Sequence, residues 1–157
     1  MTYFVTACAH MHQNLFQRKE VAELMIATIF RYRDSGEFQV HEYVVMPDHI
    51  HLLLSLDDDR PLSRAMQLIK GGFSHALREK GISLHTVWQQ SYYDRRVRDI
   101  NEFAEFAKYV RENPERRGLV DEAAKYPYSS AACREGLDEF QGLKPPIFQR
   151  GAALTRA

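Results

Sequence analysis

The sequence is poor in the residues that would assign it to several classes of protein. Its 157 residues include only two cysteines, Cys8 and Cys133, and neither belongs to a CxxC pair. Two isolated cysteines exclude a disulfide framework and a cysteine-based metal site. No apolar run approaches the roughly 20 residues that a transmembrane helix requires, and no signal-like apolar segment opens the chain. We therefore expect a cytoplasmic protein with no membrane association.

The chain also lacks a net charge. It has 21 lysine and arginine residues and 21 aspartate and glutamate residues, so its bulk charge gives no support for indiscriminate binding to duplex DNA. Any contact with nucleic acid has to depend on local basic patches. An apolar share of 45% and a length of 157 residues indicate one globular domain with a single active site.

The hydrophobic periodicity predicts an α+β fold. Runs rich in β-branched and aromatic residues predict strands over 3–8, 38–46, 49–56 and 86–97. Apolar residues at three- and four-residue steps predict helices over 17–33, 61–81 and 100–113, the last of them ended by Pro114. This order is the split βαβ pattern of ferredoxin-like folds, in which we expect an antiparallel sheet with helices on one face. Residues 121–157, which include Pro145-Pro146, are expected to pack as an extended segment on a domain of residues 1–120.

Two histidines stand at the start of the third predicted strand. His49 and His51 are two residues apart, so both imidazoles face one side of the sheet, opposite the apolar side chains of Ile50, Leu52 and Leu54. Two nitrogen ligands for a metal ion would converge there. The same pattern also fits two histidines that merely occupy the more polar face of a strand.

The last predicted helix carries a second candidate group. Tyr109 and Asn113 are four residues apart, so they project from the same side of the helix. Tyr109 lies about 100° from the centre of the apolar stripe formed by Phe103, Phe106 and Val110, at the flank of the buried face. A phenol and an amide would project together from that flank. An amphipathic tyrosine at the boundary of a core gives the same pattern.

Four segments resemble the Y1 tyrosine transposases of the IS200-like type, and especially the branch associated with repetitive extragenic palindromes (REP). Residues 44–54 (VVMPDHIHLLL) resemble that family's HUH motif, in which two histidines flank a bulky hydrophobic residue. Residues 67–73 (QLIKGGF) resemble its helix motif, and residues 87–95 (VWQQSYYDR) its tryptophan-glutamine strand. Residues 109–120 resemble the segment that bears its nucleophilic tyrosine. The resemblance implies an HUH-endonuclease type of ferredoxin-like fold, with its catalytic domain in residues 1–120.

The resemblance also implies a chemistry for the candidate residues. His49 and His51 would bind a divalent metal ion, and Tyr109 would attack a phosphodiester in single-stranded or hairpin DNA to form a 5′-phosphotyrosine. Asn113 matches the position of a polar metal ligand, although its side chain is shorter than the glutamine of well-known members. Independently of the resemblance, Asp48 would orient the neighbouring His49 or would serve only as a turn residue after Pro47. Oxygen ligands from substrate and water favour Mg²⁺ or Mn²⁺ as the metal, whereas the imidazole ligands alone also suit zinc. Both a monomer and a homodimer fit as the active form.

Two basic regions are candidates for contact with DNA. Residues 60–80 contain five basic residues and one acidic residue, with a polar stripe opposite the apolar one. In residues 88–98, arginines alternate with aromatic residues, as expected where unpaired bases stack and phosphates are neutralised. The alternatives are an ordinary solvated helix face and, for Trp88, a place in the core. The residues from which we expect DNA contacts are Arg64, Lys70, Arg78, Trp88, Tyr92, Arg95, Arg96 and Arg111.

Two functions of other kinds also fit the sequence. One is a hairpin-binding or single-stranded-DNA-binding protein that keeps a transposase fold without its catalysis. The other is a zinc-dependent hydrolase in which His49 and His51 are joined by His10 or His12. A covalent protein–DNA adduct that requires Tyr109 would distinguish the tyrosine nuclease from both.

Overall fold

The computed structural model describes residues 1–142 of the chain. Its strands are β1 (Thr2–Cys8), β2 (Gln39–Val45), β3 (His49–Ser55) and β4 (Tyr93–Val97). Its long helices are α1 (Lys19–Asp34), α2 (Leu62–Glu79) and α3 (Ile100–Arg116), and single turns of 3-10 helix occur at His10–His12, Leu15–Gln17 and Ala123–Lys125. Within residues 1–142, no helix is both long and apolar enough to cross a lipid bilayer.

The four strands form one antiparallel sheet in the order β2-β3-β1-β4. The two central strands, β3 and β1, are therefore not consecutive in the sequence. The units β1-α1-β2 and β3-α2-β4 interleave in this sheet, which is the split βαβ arrangement of ferredoxin-like folds. The predicted α+β fold class is confirmed.

The helices lie on both faces of the sheet, which corrects the expectation that they share one face. α1 and α2 enclose the larger core on the face that carries Val5, Ile50 and Leu52. α3 covers the opposite face, where Ala107 and Val110 join a smaller apolar cluster with residues of β1, β2 and β3. α1 and α2 each connect two strands of the sheet and share one side, whereas α3 follows the last strand. Its apolar stripe therefore packs on the sheet face that α1 and α2 leave uncovered.

The strand β4 is shorter than the sequence predicts. A strand is expected from residue 86, whereas β4 begins at Tyr93. Before it, Trp88 makes one isolated bridge to Ala9. Its indole packs against Phe16 in the larger core, and the indole N–H donates to the carbonyl of Lys70 at 3.1 Å. Burial of the indole draws this segment toward α2, so it does not extend the edge of the sheet.

The helix α3 continues through Pro114 to Arg116, although the sequence predicts an end at the proline. A proline removes one backbone donor, and later residues can still complete the last turn. The helix is terminated by Gly118, which lies two residues beyond its last residue and has a φ of 73°. The N–H of Leu119 donates to the carbonyl of Pro114 at 2.9 Å, as in a Schellman motif. Asn113 is therefore inside the helix.

Residues 126–130 add an extended segment to the free edge of β2. The N–H of Val45 donates to the carbonyl of Tyr128 at 2.8 Å, and the N–H of Ser130 donates to the carbonyl of Tyr43 at 2.9 Å. These bonds satisfy backbone groups that an open edge strand would expose. The division of the chain at residue 120 remains a prediction, and Pro145-Pro146 lies outside the described residues.

Candidate active site

The two histidines of β3 lie on the sheet face that α3 covers. Alternation along β3 directs Ile50 and Leu52 into the larger core, so the histidines face the other way. His49 and His51 are 7% and 4% exposed. Their Nε2 atoms are 3.1 Å apart. The two imidazoles therefore converge, as the two-residue spacing indicates.

Two polar side chains form hydrogen bonds with the Nδ1 atoms of these rings. Nδ1 of His49 donates to Oδ1 of Asp48 at 2.6 Å, and Nδ1 of His51 is 2.8 Å from Oγ1 of Thr6. A carboxylate accepts only, so it keeps the proton of a neutral His49 on Nδ1 and leaves a lone pair on Nε2. The Thr6 hydroxyl either donates or accepts, and it therefore suits both neutral forms of His51.

The environment of His51 keeps its imidazole neutral. The Phe4 ring stacks on it, with ring centroids 5.3 Å apart and an interplanar angle of 23°. Burial, and then the neighbouring His49 and the cations Arg117 and Arg116, lower the pKa of His51 to about 3. A neutral imidazole is the form that binds a metal ion. The ring is therefore in its ligand form at ordinary pH.

Tyr109 reaches the histidine pair from α3. Its ring meets His51 edge to face with centroids 5.4 Å apart, and it lies 5.7 Å from the Phe4 ring. The residue is 37% exposed, so a molecule in solution can reach it. The Arg116 guanidinium lies 4.3 Å from the centre of the Tyr109 ring. A phenol thus stands beside two imidazoles with a positive charge next to it.

Asn113 is a buried amide one helical turn after Tyr109. It is 2% exposed, and within residues 1–142 its Oδ1 has no hydrogen-bond partner. A buried acceptor without a partner costs about 1–3 kcal/mol, so this oxygen suits an added cation. The 3.1 Å between Nε2 of His49 and Nε2 of His51 fits two ligands about 2.1 Å from one ion, at an angle of about 90°. Imidazole nitrogens and an amide oxygen are donor types that suit a divalent metal ion.

The zinc-hydrolase alternative finds no support in the structure. In the part of the chain that is described, no group of three or more His, Cys, Asp and Glu side chains is arranged to hold a metal ion. His10 and His12 are both exposed, and Nδ1 of His12 lies 3.8 Å from Oδ2 of Asp48. Within residues 1–142, His49 and His51 therefore have no third His, Cys, Asp or Glu side chain arranged to bind a metal ion with them.

The DNA contacts predicted on α2 lie away from the histidine pair, because α2 packs on the opposite face of the sheet. Arg78 is exposed there. Nε of Arg64 is 3.5 Å from the Glu37 carboxylate. Nζ of Lys70 donates to the carbonyl of Gln89 at 2.8 Å, and burial lowers the pKa of this lysine. These three residues are not brought to the candidate active site.

Three other predicted DNA contacts have structural partners. Trp88 is 8% exposed, and Tyr92 packs against the same larger core. Arg111 donates to the buried Glu42 carboxylate at 2.9 Å, which joins α3 to β2. The aromatic residues 88 and 92 thus stabilise the fold, while Arg111 anchors the helix that carries the phenol.

The two adjacent arginines of β4 face opposite sides of the sheet. Arg95 is opposite Phe4 in β1, whereas Arg96 is opposite Tyr3. Because Phe4 contacts the rings of the candidate site, Arg95 shares its face. Of this pair, only Arg95 can approach a molecule bound there.

Three neighbours of the site are not evident from the sequence. Phe4 and Thr6 share one face of β1, but their contact with His51 depends on the register between two strands that are distant in sequence. Arg116 lies beyond Pro114, where the helix was expected to have ended. The alternation of β1 was the only available signal for Phe4 and Thr6, and it does not identify their partner.

Comparison with known proteins relates the chain to transposases. A family model described as "Transposase IS200 like" matches residues 1–113. The REP-associated tyrosine transposase of Escherichia coli strain K12 is 24% identical over 109 residues, which are 69% of this chain and 63% of that protein. A putative REP-associated tyrosine transposase of Haemophilus influenzae is 29% identical over 108 residues, which are 59% of this chain and 58% of that protein. The chain therefore spans less than two thirds of the length of either relative.

Two solved structures share the fold. A REP-associated tyrosine transposase bound to a REP hairpin superposes with a TM-score of 0.73 at 22% identity, over 88% of this chain and 82% of that one. A putative transposase of Deinococcus radiodurans has a TM-score of 0.56 at 18% identity, over 72% of this chain and 89% of that one. Together with the match to the family model, these similarities confirm the resemblance seen in the sequence.

Proposed function

Since the chain belongs to the IS200-like transposase family, we propose that it is an HUH-type tyrosine nuclease that cleaves and rejoins single-stranded DNA. The observation that carries this proposal is the contact between the partly exposed Tyr109 ring and the His51 ring, whose centroids are 5.4 Å apart. A nucleophile has to be accessible and close to groups that stabilise the charge of the reacting phosphate. Tyr109 is accessible and lies beside an imidazole pair and a guanidinium.

The proposed reaction exchanges one phosphodiester bond for another. The phenol oxygen of Tyr109 forms a bond to phosphorus while the bond from phosphorus to the 3′ oxygen breaks, which leaves a 3′-hydroxyl and a 5′-phosphotyrosine. The phenol proton passes to a water molecule, and the departing 3′ oxygen takes a proton from water, so the number of protons balances. Arg116, 4.3 Å from the ring centre, stabilises the negative charge that develops on the phenol. Because the covalent link conserves the energy of the broken bond, a 3′-hydroxyl can reverse the step and join strands.

We propose that His49, His51 and Asn113 hold a divalent metal ion, Mg²⁺ or Mn²⁺. When bound, such an ion polarises a non-bridging phosphate oxygen and orients the phosphate for in-line attack. The three ligands are neutral, so they leave most of the charge of the ion available to the phosphate. Asp48 orients His49, and Thr6 orients His51, through the hydrogen bonds to their Nδ1 atoms.

The proposed substrate is hairpin or palindromic single-stranded DNA, because the solved relative with the higher TM-score is bound to a REP hairpin. Arg95 shares the face of the reacting groups and would contact the strand at the site. The basic residues on the opposite face would contact only DNA that continues around the edge of the sheet. We further propose a catalytic domain in residues 1–120 with an extension in 121–157, a cytoplasmic location, and action as a monomer or a homodimer.

Denaturing electrophoresis after incubation with end-labelled hairpin oligonucleotides and Mg²⁺ or Mn²⁺ tests this function. The wild-type protein should form an adduct that survives denaturation, and Tyr109→Phe should bind the same oligonucleotides without forming it. Tyr3→Phe is the matched control, because Tyr3 faces the other side of the sheet, and it should form the adduct at the wild-type level. Binding without any adduct by the wild type, across varied hairpins, would indicate a catalytically inactive DNA-binding protein.

A further inference from the structure

Tyr93 is an exposed aromatic residue on the histidine face of the edge strand β4. The β1–β4 register places it opposite Thr6, and the β1–β3 register places Thr6 opposite His51. Directly paired residues of neighbouring strands share a face of the sheet. Tyr93, Thr6 and His51 therefore form one row across β4, β1 and β3, on the face where Tyr109 meets the histidines.

The Tyr93 ring extends the aromatic surface around Tyr109. It lies 6.4 Å from the Phe4 ring at an interplanar angle of 70°, and the Tyr109 ring lies 5.7 Å from the same Phe4 ring. Phe4 is 6% exposed, whereas Tyr93 is 57% exposed. A buried phenylalanine thus contacts two accessible tyrosines. Because more than half of Tyr93 is open to solvent, core packing does not account for an aromatic residue at this position.

Positive charge accompanies these rings. Arg95 follows Tyr93 at the next position on the same face, is 59% exposed, and lies with Cζ 5.7 Å from the centre of the Phe106 ring. Its Nη2 is 3.6 Å from the Glu102 carboxylate, a partly solvated pair that a phosphate can displace. Accessible aromatic rings next to arginines suit a single nucleic-acid strand, whose bases stack on the rings and whose phosphates meet the cations.

We infer that Tyr93 stacks on an unpaired base of the DNA strand that Tyr109 attacks, and that Arg95 contacts the backbone of the same strand. The inference rests on the proposed function. Among the neighbouring tyrosines, the sequence favours Tyr92 for this role, but Tyr92 packs against the larger core on the other side of the sheet. Tyr93 is the one that is free to meet a base.

An abasic scan of binding tests this inference without requiring cleavage. Fluorescent hairpin oligonucleotides, each lacking one base of the single-stranded arm, are titrated with full-length Tyr109→Phe protein in the presence of Mn²⁺. At one position of the arm, loss of the base should weaken binding by roughly fivefold or more, which is the usual effect of losing one base–aromatic stack. Adding Tyr93→Ala should weaken binding of the intact hairpin by a similar factor and leave the affinity for that abasic hairpin unchanged. Tyr93→Phe keeps the ring and should bind like its parent.

The adjacent arginines supply a matched control. Arg95→Ala should weaken binding and reduce its salt dependence. Arg96→Ala, on the opposite face, should change neither the affinity nor its salt dependence for a hairpin with a short arm. The inference is overturned if Tyr93→Ala binds like its parent, or if it loses the same further factor at every abasic position. Coupling between Tyr93 and one base without any wild-type adduct would contradict the proposed function alone. A wild-type adduct without that coupling would contradict the inference alone.

Discussion

His51 and Tyr109 meet edge to face where α3 lies over β3, with ring centroids 5.4 Å apart. The strand supplies the imidazole pair, and the helix supplies the phenol together with the buried amide of Asn113. The proposed activity therefore requires α3 to be held on this face of the sheet. The smaller apolar cluster holds it, and so does the bond from Arg111 to the buried Glu42 carboxylate of β2.

Replacing Asn113 by leucine should separate metal binding from folding. The substitution keeps a side chain of similar volume and removes a buried oxygen that has no partner within residues 1–142. The free energy of unfolding without metal should therefore stay within about 1 kcal/mol of wild type or rise. Affinity for Mn²⁺, measured by calorimetry, should fall by about tenfold or more. Asn101→Leu, at an exposed position of the same helix, should leave Mn²⁺ affinity unchanged, and an unchanged affinity in Asn113→Leu would show that Asn113 is not a ligand.

Replacing Asp48 by asparagine should weaken metal binding without removing a ligand. The Asp48 carboxylate accepts from Nδ1 of His49 at 2.6 Å and so directs the Nε2 lone pair toward His51. Loss of such an outer partner usually costs about 10- to 100-fold in metal affinity, and Mn²⁺ titration should show a loss in that range. Asp59→Asn, in the exposed turn after β3, is the control. Equal Mn²⁺ affinity in the two variants would contradict the orienting role.

The sequence predicts those parts of the fold and site that depend on local periodicity. The alternation around Ile50 shows that the two histidines share a face, and the apolar stripe of α3 predicts a boundary position for Tyr109. Other parts depend on contacts between distant segments. The sheet face under α3 and the hydrogen bond between Thr6 and His51 both follow from strand register, which no local pattern encodes. The end of α3 was misplaced because the bonds around Gly118 determine it, and Pro114 does not.

Replacing Glu42 by glutamine should destabilise the fold. Glu42 is 2% exposed, and its carboxylate accepts hydrogen bonds from Arg111 and Ser130, both at 2.9 Å, and from Arg134. Hydrogen bonds to charged groups contribute about 1.5–3 kcal/mol each, so urea denaturation should show a loss of about 2 kcal/mol or more. Glu135→Gln, at an exposed position, should change stability by less than about 0.5 kcal/mol. A similarly small effect at Glu42 would show that its hydrogen bonds do not anchor α3.

Stability should depend on pH through Asp138. Hydrogen bonds from Arg33, and then from the Val40 N–H, hold the pKa of this carboxyl below its ordinary value. A group with a lowered folded pKa stabilises the fold above its unfolded pKa of about 4, and the contribution is lost as pH falls through the folded pKa. The free energy of unfolding should therefore decrease between about pH 5 and pH 2. Asp138→Asn should be less stable at neutral pH and lose less over that interval, and equal losses in the two proteins would contradict this assignment.

The most direct test of the central claim is mass spectrometry of the covalent adduct. After reaction with hairpin DNA and Mn²⁺, the denatured protein is digested with nuclease and trypsin, which cuts after Lys108 and Arg111 and so isolates residues 109–111. The account predicts a phosphate-linked nucleotide on Tyr109 in that peptide. A nucleotide on any other residue, or cleaved DNA with no modified peptide, would contradict it.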